Sequence, residues 1–314
     1  MSHIPSPTQR RPVHLPTMPL EQEAAGTIPP VVMARSRLDG DELIFDDSDG
    51  FERALRQGFF LLRIPSDIEL SAGDCFAQHF FEPAATGELA AYTGFKSCAV
   101  PGAYQGYFDR EHDQWENFYI ERGNWRLLPP DLNELGDVLA GVGIQVLRAV
   151  LQRLAIPRQL WAQLTGGLSE GGGHQLFAFN HFRSDKPTRG SKFHRDSGWV
   201  TVLRSIEPGL LAHIDGELHA VNPEPGYFIV NFGSSLEVLS EDMVQPVRAN
   251  VHGVARTVRQ AGQADRYSYV VFLDSDLSGD IYRWAADGMQ KVQSVAEFAV
   301  QEVARTYDAH DQQL

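Results

Sequence analysis

The segment 191–203 reads SKFHRDSGWVTVL, and its His194-Arg195-Asp196 core sets how the rest of the chain is read. A histidine and an aspartate two residues apart project to the same face of an extended strand, because successive side chains alternate. A second histidine, His252 in ANVHGVARTV, follows 56 positions after Asp196, room for several strands before the chain returns. Two imidazoles and one carboxylate on one face of an octahedral ion leave three positions open. That arrangement suits Fe(II), a bidentate co-substrate and dioxygen. Further on, Arg266 and Ser268 in DRYSYVVF would share a strand face, and the planar fork of arginine suits a carboxylate.

A His-x-Asp pair is a weak signal alone. His213-Ile214-Asp215, in LLAHIDGELHAV, repeats it nineteen residues downstream of the first. There the Asp215-Gly216 pair between two apolar runs signals a type I′ hairpin, which makes Asp215 a turn residue. On that reading His213 and His219 face each other across the hairpin and bind no metal.

Composition narrows the class. The 314 residues are 43% hydrophobic and 22% charged, ordinary for a globular protein. A formal net charge of −14 argues against nucleic-acid or anionic-membrane partners, which need basic surface. The two cysteines, Cys75 and Cys98, cannot build a disulfide framework and fit a reducing, cytoplasmic setting. No uncharged apolar run approaches about 18 residues, so no membrane span is expected. The Arg10-Arg11 pair precedes HLPTMPLEQEAAG, which lacks an apolar stretch and reads as a solvated tail, not an export signal.

Along the chain, residues 1–30 are expected to form an extended or disordered arm, with five prolines in the first twenty. Residues 31–314 are expected to form one domain, because no linker-like stretch divides them. DDSDGFERALRQ predicts a short helix, GFFLLRIP a strand, and 71–81 a second helix. The aromatic-rich stretch 92–125 reads as a loop-and-strand insertion. Leu139, Val142, Val146, Val150 and Leu154 give a long helix over 131–156, broken by Pro157. From 175 to about 280 short apolar segments alternate with turn residues, and Ser294 with Glu297 opens a C-terminal helix over 294–307. Helices first and closely spaced strands later predict a mainly β fold with flanking α-helices, a jelly-roll core carrying helices on one sheet.

Taken together, these segments resemble a known family. HRDSGWVTVL is similar to the H-x-D-x-G-x-x-T-x-L segment of the isopenicillin N synthase-like family of Fe(II)/2-oxoglutarate-dependent oxygenases. GYFIVNFGSSLEVLS resembles its V-N-x-G-D-x-L-x-x-x-S segment, NVHGVAR its second-histidine segment, RYSYVVF its R-x-S segment, and FAFNHF the strand that carries an asparagine near the co-substrate. The match covers about 175–275. It implies a double-stranded β-helix and His194, Asp196 and His252 as iron ligands. Arg266 and Ser268 would hold the distal carboxylate of 2-oxoglutarate, and Asn180 would lie near its metal-bound end. Three positions depart from the pattern: Ser234 replaces the aspartate after V-N-x-G, Gly253 follows the second histidine where arginine is frequent, and Phe182 replaces a tyrosine whose hydroxyl often touches the co-substrate.

The resemblance implies oxidation of an unactivated C–H bond of a small molecule, giving hydroxylation, desaturation or ring closure, with dioxygen consumed and ascorbate as an auxiliary reductant. Asp196 argues against halogenation, since iron halogenases of this broad class carry a small residue there. A carboxylate-bearing or amino-acid-derived substrate is expected. Tyr107 and Trp115 from the aromatic stretch are candidate contacts, with Arg183 and Arg195 from the basic stretch 183–195. Two alternatives stand beside this reading. One is an oxidase of the same family that does not consume 2-oxoglutarate. The other is a non-catalytic β-barrel module holding a structural metal such as zinc, which three ligands disfavour.

Overall fold

A computed structural model of the chain describes residues 28–260 and 262–306. In chain order it contains β1 (Ala34–Asp39), β2 (Glu42–Phe45), α1 (Gly50–Gln57), β3 (Phe59–Arg63), α2 (Ser71–His79), β4 (Gly106–Asp109), β5 (Trp115–Glu121), α3 (Pro130–Arg153), α4 (Trp161–Leu164), β6 (His174–Phe182), β7 (Ser191–His194), β8 (Val200–Ser205), β9 (Leu210–Ile214), β10 (Glu217–Ala220), β11 (Tyr227–Phe232), α5 (Ser234–Ser240), β12 (Val251–Val254), β13 (Arg266–Asp274), β14 (Asp280–Ala285), β15 (Gly288–Ser294) and α6 (Val295–Thr306).

The eight strands from β6 to β13 divide between two sheets. The larger sheet runs β2-β1-β3-β11-β8-β13-β6-β5-β4, and the smaller runs β10-β9-β12-β7. The order β11-β8-β13-β6 against β10-β9-β12-β7 is the jelly-roll connectivity, in which most strands pair with one distant in sequence. The fold is thus mainly β with a double-stranded β-helix core.

Helices α1, α2 and α3 cover the outer face of the larger sheet. Proline begins α3, where its missing N–H costs nothing. Leu132, Leu135, Leu139, Val142, Val146 and Val150 then give it a buried stripe in one cluster with Phe177, Val202 and Val271 of the sheet. Gly143 permits the close approach, since a Cβ there would lie 2.3 Å from Leu273 Cδ1. A second cluster, including Phe59, Leu61, Phe182, Leu210, Ile214 and Ile229, fills the space between the two sheets at one end.

Several expectations need correction. The stretch 92–125 is not an insertion: β5 pairs with β6 from Trp115↔Phe182 to Glu121↔Leu176 and extends the main sheet. Six of its seven residues are buried, so no polar alternation marks it as a strand. The β1–β2 and β14–β15 hairpins add to the expected elements. Helix α3 stops at Arg153, and Ala155 takes φ 57° ahead of Pro157. Helix α2 ends two residues early, at His79. The arm expected over 1–30 lies outside the described residues as far as 27, and Pro30 bridges to Ala220. The hairpin at Asp215-Gly216 forms, with φ 53° and 87°, but the register pairs His213 with Leu218 and His219 with Ala212. A two-residue turn puts residues of unlike parity opposite each other, so the two histidines do not meet. The Ser294–Glu297 capping box is present, with Glu297 N donating to Ser294 Oγ at 3.2 Å and Ser294 N to Glu297 Oε2 at 3.2 Å.

Candidate metal centre and its two cavities

His194 ends β7, and His252 sits opposite it on β12 in an antiparallel pair. The two rings lie 4.5 Å apart. Asp196 is not on the strand with His194, as the two-residue spacing suggested; β7 ends first, and Asp196 stands in the connection to β8. Its Oδ1 lies 3.8 Å from His194 Nε2 and 3.7 Å from His252 Nε2. Among the described residues these three form the one cluster of histidine, cysteine or acidic side chains with metal-ligand spacing, every ligand atom within 4.8 Å of the others.

Each ligand atom is aimed by a second contact. His194 Nδ1 faces Lys192 O at 2.9 Å and His252 Nδ1 faces Asn250 O at 3.1 Å. A carbonyl only accepts, so both Nδ1 atoms carry the proton and both Nε2 lone pairs point to the common centre. Asp196 Oδ2 accepts from Thr201 Oγ1 and Asn231 Nδ2, each at 2.7 Å, leaving Oδ1 free to face the histidines. Burial and the neighbouring His252 hold His194 neutral, down to about pH 4. Burial alone would raise Asp196, yet His252, His194, Asn231 and Thr201 together hold it below the usual carboxylate range. An ionised carboxylate beside imidazoles whose Nε2 atoms face the centre is the ligand set a divalent ion needs.

Thr201 and Asn231 are the threonine and the asparagine of the two motif segments, to which the sequence alone assigns no role; here they orient the carboxylate. Gly233 completes the support. A Cβ on it would lie 2.2 Å from Gly198 O, so only glycine lets the start of α5 approach the Asp196 connection. There Ser234 N donates to Asp196 O at 2.8 Å.

Two cavities meet at this centre. The inner one lies between the sheets and ends at Arg266, with Asn180, Ser268 and Phe182 on its wall. Arg266 is 2% exposed. Its Nε donates to Pro208 O at 3.2 Å and its Nη2 to Ser205 Oγ at 3.2 Å, and it stacks 4.5 Å over the Phe182 ring. Its Nη1 is buried with no hydrogen-bond partner, and so is Trp115 Nε1 on the same wall. Burial lowers the guanidinium to about 10, Glu207 partly opposing. Two orphaned donors, one of them cationic, fit an anionic ligand rich in acceptors.

The outer cavity, about 260 Å³, opens on the other side of His194 and Asp196. Phe108, Trp115, Tyr119, Leu176 and Phe272 give it apolar walls, and Val295, Ala299 and Val303 of α6 close it. Arg110 reaches it amid the rings of Phe108, Trp115 and Tyr119, 5.0 to 6.0 Å from their centroids. At the far end of the β6–β13 face stand His174 and Asp274, opposite each other in register.

Burial pushes the Asp274 carboxyl up to about 6, with His174 and the Ser197 hydroxyl pulling against it and Asp196 adding to the rise. The folded protein therefore holds this proton more tightly than the unfolded chain. The carboxyl favours folding below about pH 4, and that contribution disappears as pH rises through about 6. In metal-free protein, Asp274→Asn is expected to be more stable than the parent at pH 7.5 by roughly 1–3 kcal/mol. The gap should close as pH falls from 6 towards 4. Urea unfolding at several pH values measures this, and a pH-independent difference would contradict it.

The four expected substrate contacts divide. Trp115 lines both cavities, its ring 6.0 Å from His194, and Arg195 borders the outer one while paired with Glu237. Tyr107 does not reach either. It sits opposite Phe118, on the helix-facing side of β5, and its hydroxyl binds Glu116. Arg183 is also turned away, bonded to Asp109 at 2.7 Å and to the carbonyls of Gln114 and Trp115. The basic stretch is likewise engaged: Lys186 caps the carbonyls of Arg110 and Asp113, and Arg189 pairs with Asp113. It braces the β4–β5 connection, so it does not form a cationic mouth. Sequence reasoning missed Arg110, since nothing in its local sequence distinguishes it.

Residues 173–275 match the model of the 2OG-Fe(II) oxygenase superfamily. This part of the chain belongs to that superfamily. The segment holds all six residues expected to bind metal or co-substrate, while Arg110, Trp115 and α6 lie outside it. DMR6-LIKE OXYGENASE 2 of Arabidopsis thaliana is 32% identical over 108 residues, 33% of this chain and 30% of that protein. The chain spans 30–46% of the length of the curated relatives it matches. Among solved structures, a full-length Neurospora crassa protein in complex with alpha-KG and 5-formyluracil superposes with a TM-score of 0.61 at 20% identity, covering 82% of this chain and 88% of that one. JOX2 in complex with 2OG, Fe and JA gives 0.61 at 18% identity, covering 98% and 87%. These likenesses show that the 2OG-Fe(II) oxygenase fold extends beyond the matched segment. Among the described residues no helix is long and apolar enough to cross a membrane.

Proposed function

We propose that the described residues act as a single Fe(II)- and 2-oxoglutarate-dependent oxygenase unit that oxidises an unactivated C–H bond of a small molecule. The observation that carries this reading is the convergence of two Nε2 lone pairs and one carboxylate oxygen between a cavity ending in a buried guanidinium with an unpaired Nη1 and a separate apolar one. His194, Asp196 and His252 would hold the metal. Arg266, Ser268 and Asn180 would hold the co-substrate, Arg266 taking a carboxylate through its free Nη1. Iron with 2-oxoglutarate and dioxygen supplies the oxidising power, leaving succinate and carbon dioxide. The chain's own residues keep both ligands in place and exclude water from the junction, where Phe59, Phe182, Leu210 and Phe272 face inward.

The substrate belongs in the outer cavity. Its rings and aliphatic walls suit a small, largely apolar body, and Arg110 suits a carboxylate on it. Asp274 at the other end offers an acceptor for an amine, consistent with an amino-acid-derived compound. The Neurospora crassa protein was solved with 5-formyluracil and JOX2 with JA, which makes planar bases and small acids the two classes to compare.

Succinate formation by iron-loaded protein, with and without such compounds, tests the proposal. Stimulation by a small acid above the uncoupled rate is the expected result. Oxygen consumption without succinate would favour an oxidase in which Arg266 binds the substrate's own carboxylate.

A further inference from the structure

Arg110, Asn117, Asn180 and Ser268 come from the β4–β5 connection, β5, β6 and β13, and all are more than nine-tenths buried. Register places Asn117 opposite Asn180 and Asn180 opposite Ser268 on the cavity face of the sheet. Arg110 Nε donates to Asn117 Oδ1 at 3.2 Å, Asn117 Nδ2 donates to Asn180 Oδ1 at 2.6 Å, and Asn180 Nδ2 donates to Ser268 Oγ at 3.4 Å. Arg110 lines the outer cavity, Ser268 the inner one and Asn180 both, whereas Asn117 is fully buried and lines neither.

The direction of this chain is fixed at one end. A guanidinium has only donors, so the group it meets on Asn117 must be the carbonyl oxygen. The amide nitrogen of Asn117 then faces Asn180, whose own oxygen must turn to receive it. The nitrogen of Asn180 is thereby directed towards Ser268 and the inner cavity. Ser268 Oγ, accepting from Asn180, keeps its own proton to give. Reversing any link would set two donors or two acceptors against each other in a buried site.

We propose that Asn117 is a positioning residue, which transmits the polarity set by Arg110 so that Asn180 and Ser268 present donors to an anion beside Arg266. This rests on the reading of the inner cavity as the 2-oxoglutarate pocket. The affinity for the co-substrate therefore depends on a side chain that touches neither ligand, and on an arginine that belongs to the other cavity.

Calorimetric titration of Mn(II)-loaded protein with 2-oxoglutarate under anaerobic conditions tests it. Asn117→Asp keeps an acceptor for Arg110 but offers a second one to Asn180. The Asn180 amide turns over, and its oxygen takes the Ser268 proton. The Kd for 2-oxoglutarate should rise about tenfold or more, with Mn(II) affinity within about twofold of the parent. The new charge would also repel an anion, and a double-mutant cycle separates that effect. In a Ser268→Ala background repulsion persists while the Ser268 link is gone, so the same substitution should cost distinctly less. Asn117→Leu, which removes both links without a charge, should weaken binding by a smaller factor and covers the case where the aspartate variant fails to fold. Unchanged affinity in both variants, or strict additivity with Ser268→Ala, overturns the proposal. A parent protein that takes up Mn(II) but no 2-oxoglutarate overturns the functional reading, and this one with it.

Discussion

Asp196→Ala is expected to eliminate succinate formation and to weaken metal binding by more than about a hundredfold, beyond the 10–100-fold effect usual for an outer support of a metal ligand. Among the described residues Oδ1 of Asp196 is the sole carboxylate oxygen at the centre, 3.7 and 3.8 Å from the two Nε2 atoms. Without it two imidazoles remain, too few to hold iron against water. The metal-free variant should still fold. Burial opposes the charged form of this carboxylate, so the protein loses its hydrogen bonds to Thr201 and Asn231 but also a desolvated charge. Asn231→Ala should show the milder effect, about 10–100-fold in metal affinity, because it removes only a support. Metal content, succinate yield and circular dichroism read these outcomes together. Full turnover by Asp196→Ala would show that the metal sits elsewhere.

Arg266→Leu should raise the Kd for 2-oxoglutarate by roughly 30- to 5,000-fold, matching about 2–5 kcal/mol for truncating one partner of a buried charge pair. Mn(II) affinity should be unchanged, because Arg266 makes no contact with the three ligands. The free protein should lose little stability or gain some: it now buries a cation whose Nη1 has no partner, and leucine relieves that cost. Arg266→Lys keeps the charge but not the fork and should fall between the two. Titration of the Mn(II) form decides it. Equal affinity in Arg266→Leu would place the co-substrate outside the inner cavity.

The convergence of His194, Asp196 and His252 was legible in the sequence because few residue types suit iron and two of the three lie within one short segment. Their geometry was less legible. Alternation alone puts His194 and Asp196 on one strand, but the strand ends between them, and the carboxylate is brought to the centre by Thr201 and Asn231 instead. Those bonds span 5 and 35 residues, and no local pattern announces which distant amide meets which carboxylate. Arg266 and Ser268 were readable because both lie on one regular strand, where alternation holds. Tyr107, Arg110 and Asn117 were not. Strand β5 is buried on both faces, so the sequence carries no in-and-out rhythm there, and Tyr107 falls on the helix side while Asn117 falls on the cavity side. The hairpin histidines show how one position of register decides an encounter.

The outer cavity has one wall unlike the rest. Val295, Ala299 and Val303 belong to α6, which follows the last strand and contributes no rung to either ladder. Exchanges at Ala299 and Val303 would widen, shorten or re-charge the chamber without altering a residue of either ladder or of the ligand set. On the proposed function, a change in what is oxidised can therefore be made on one helix that lies outside both ladders.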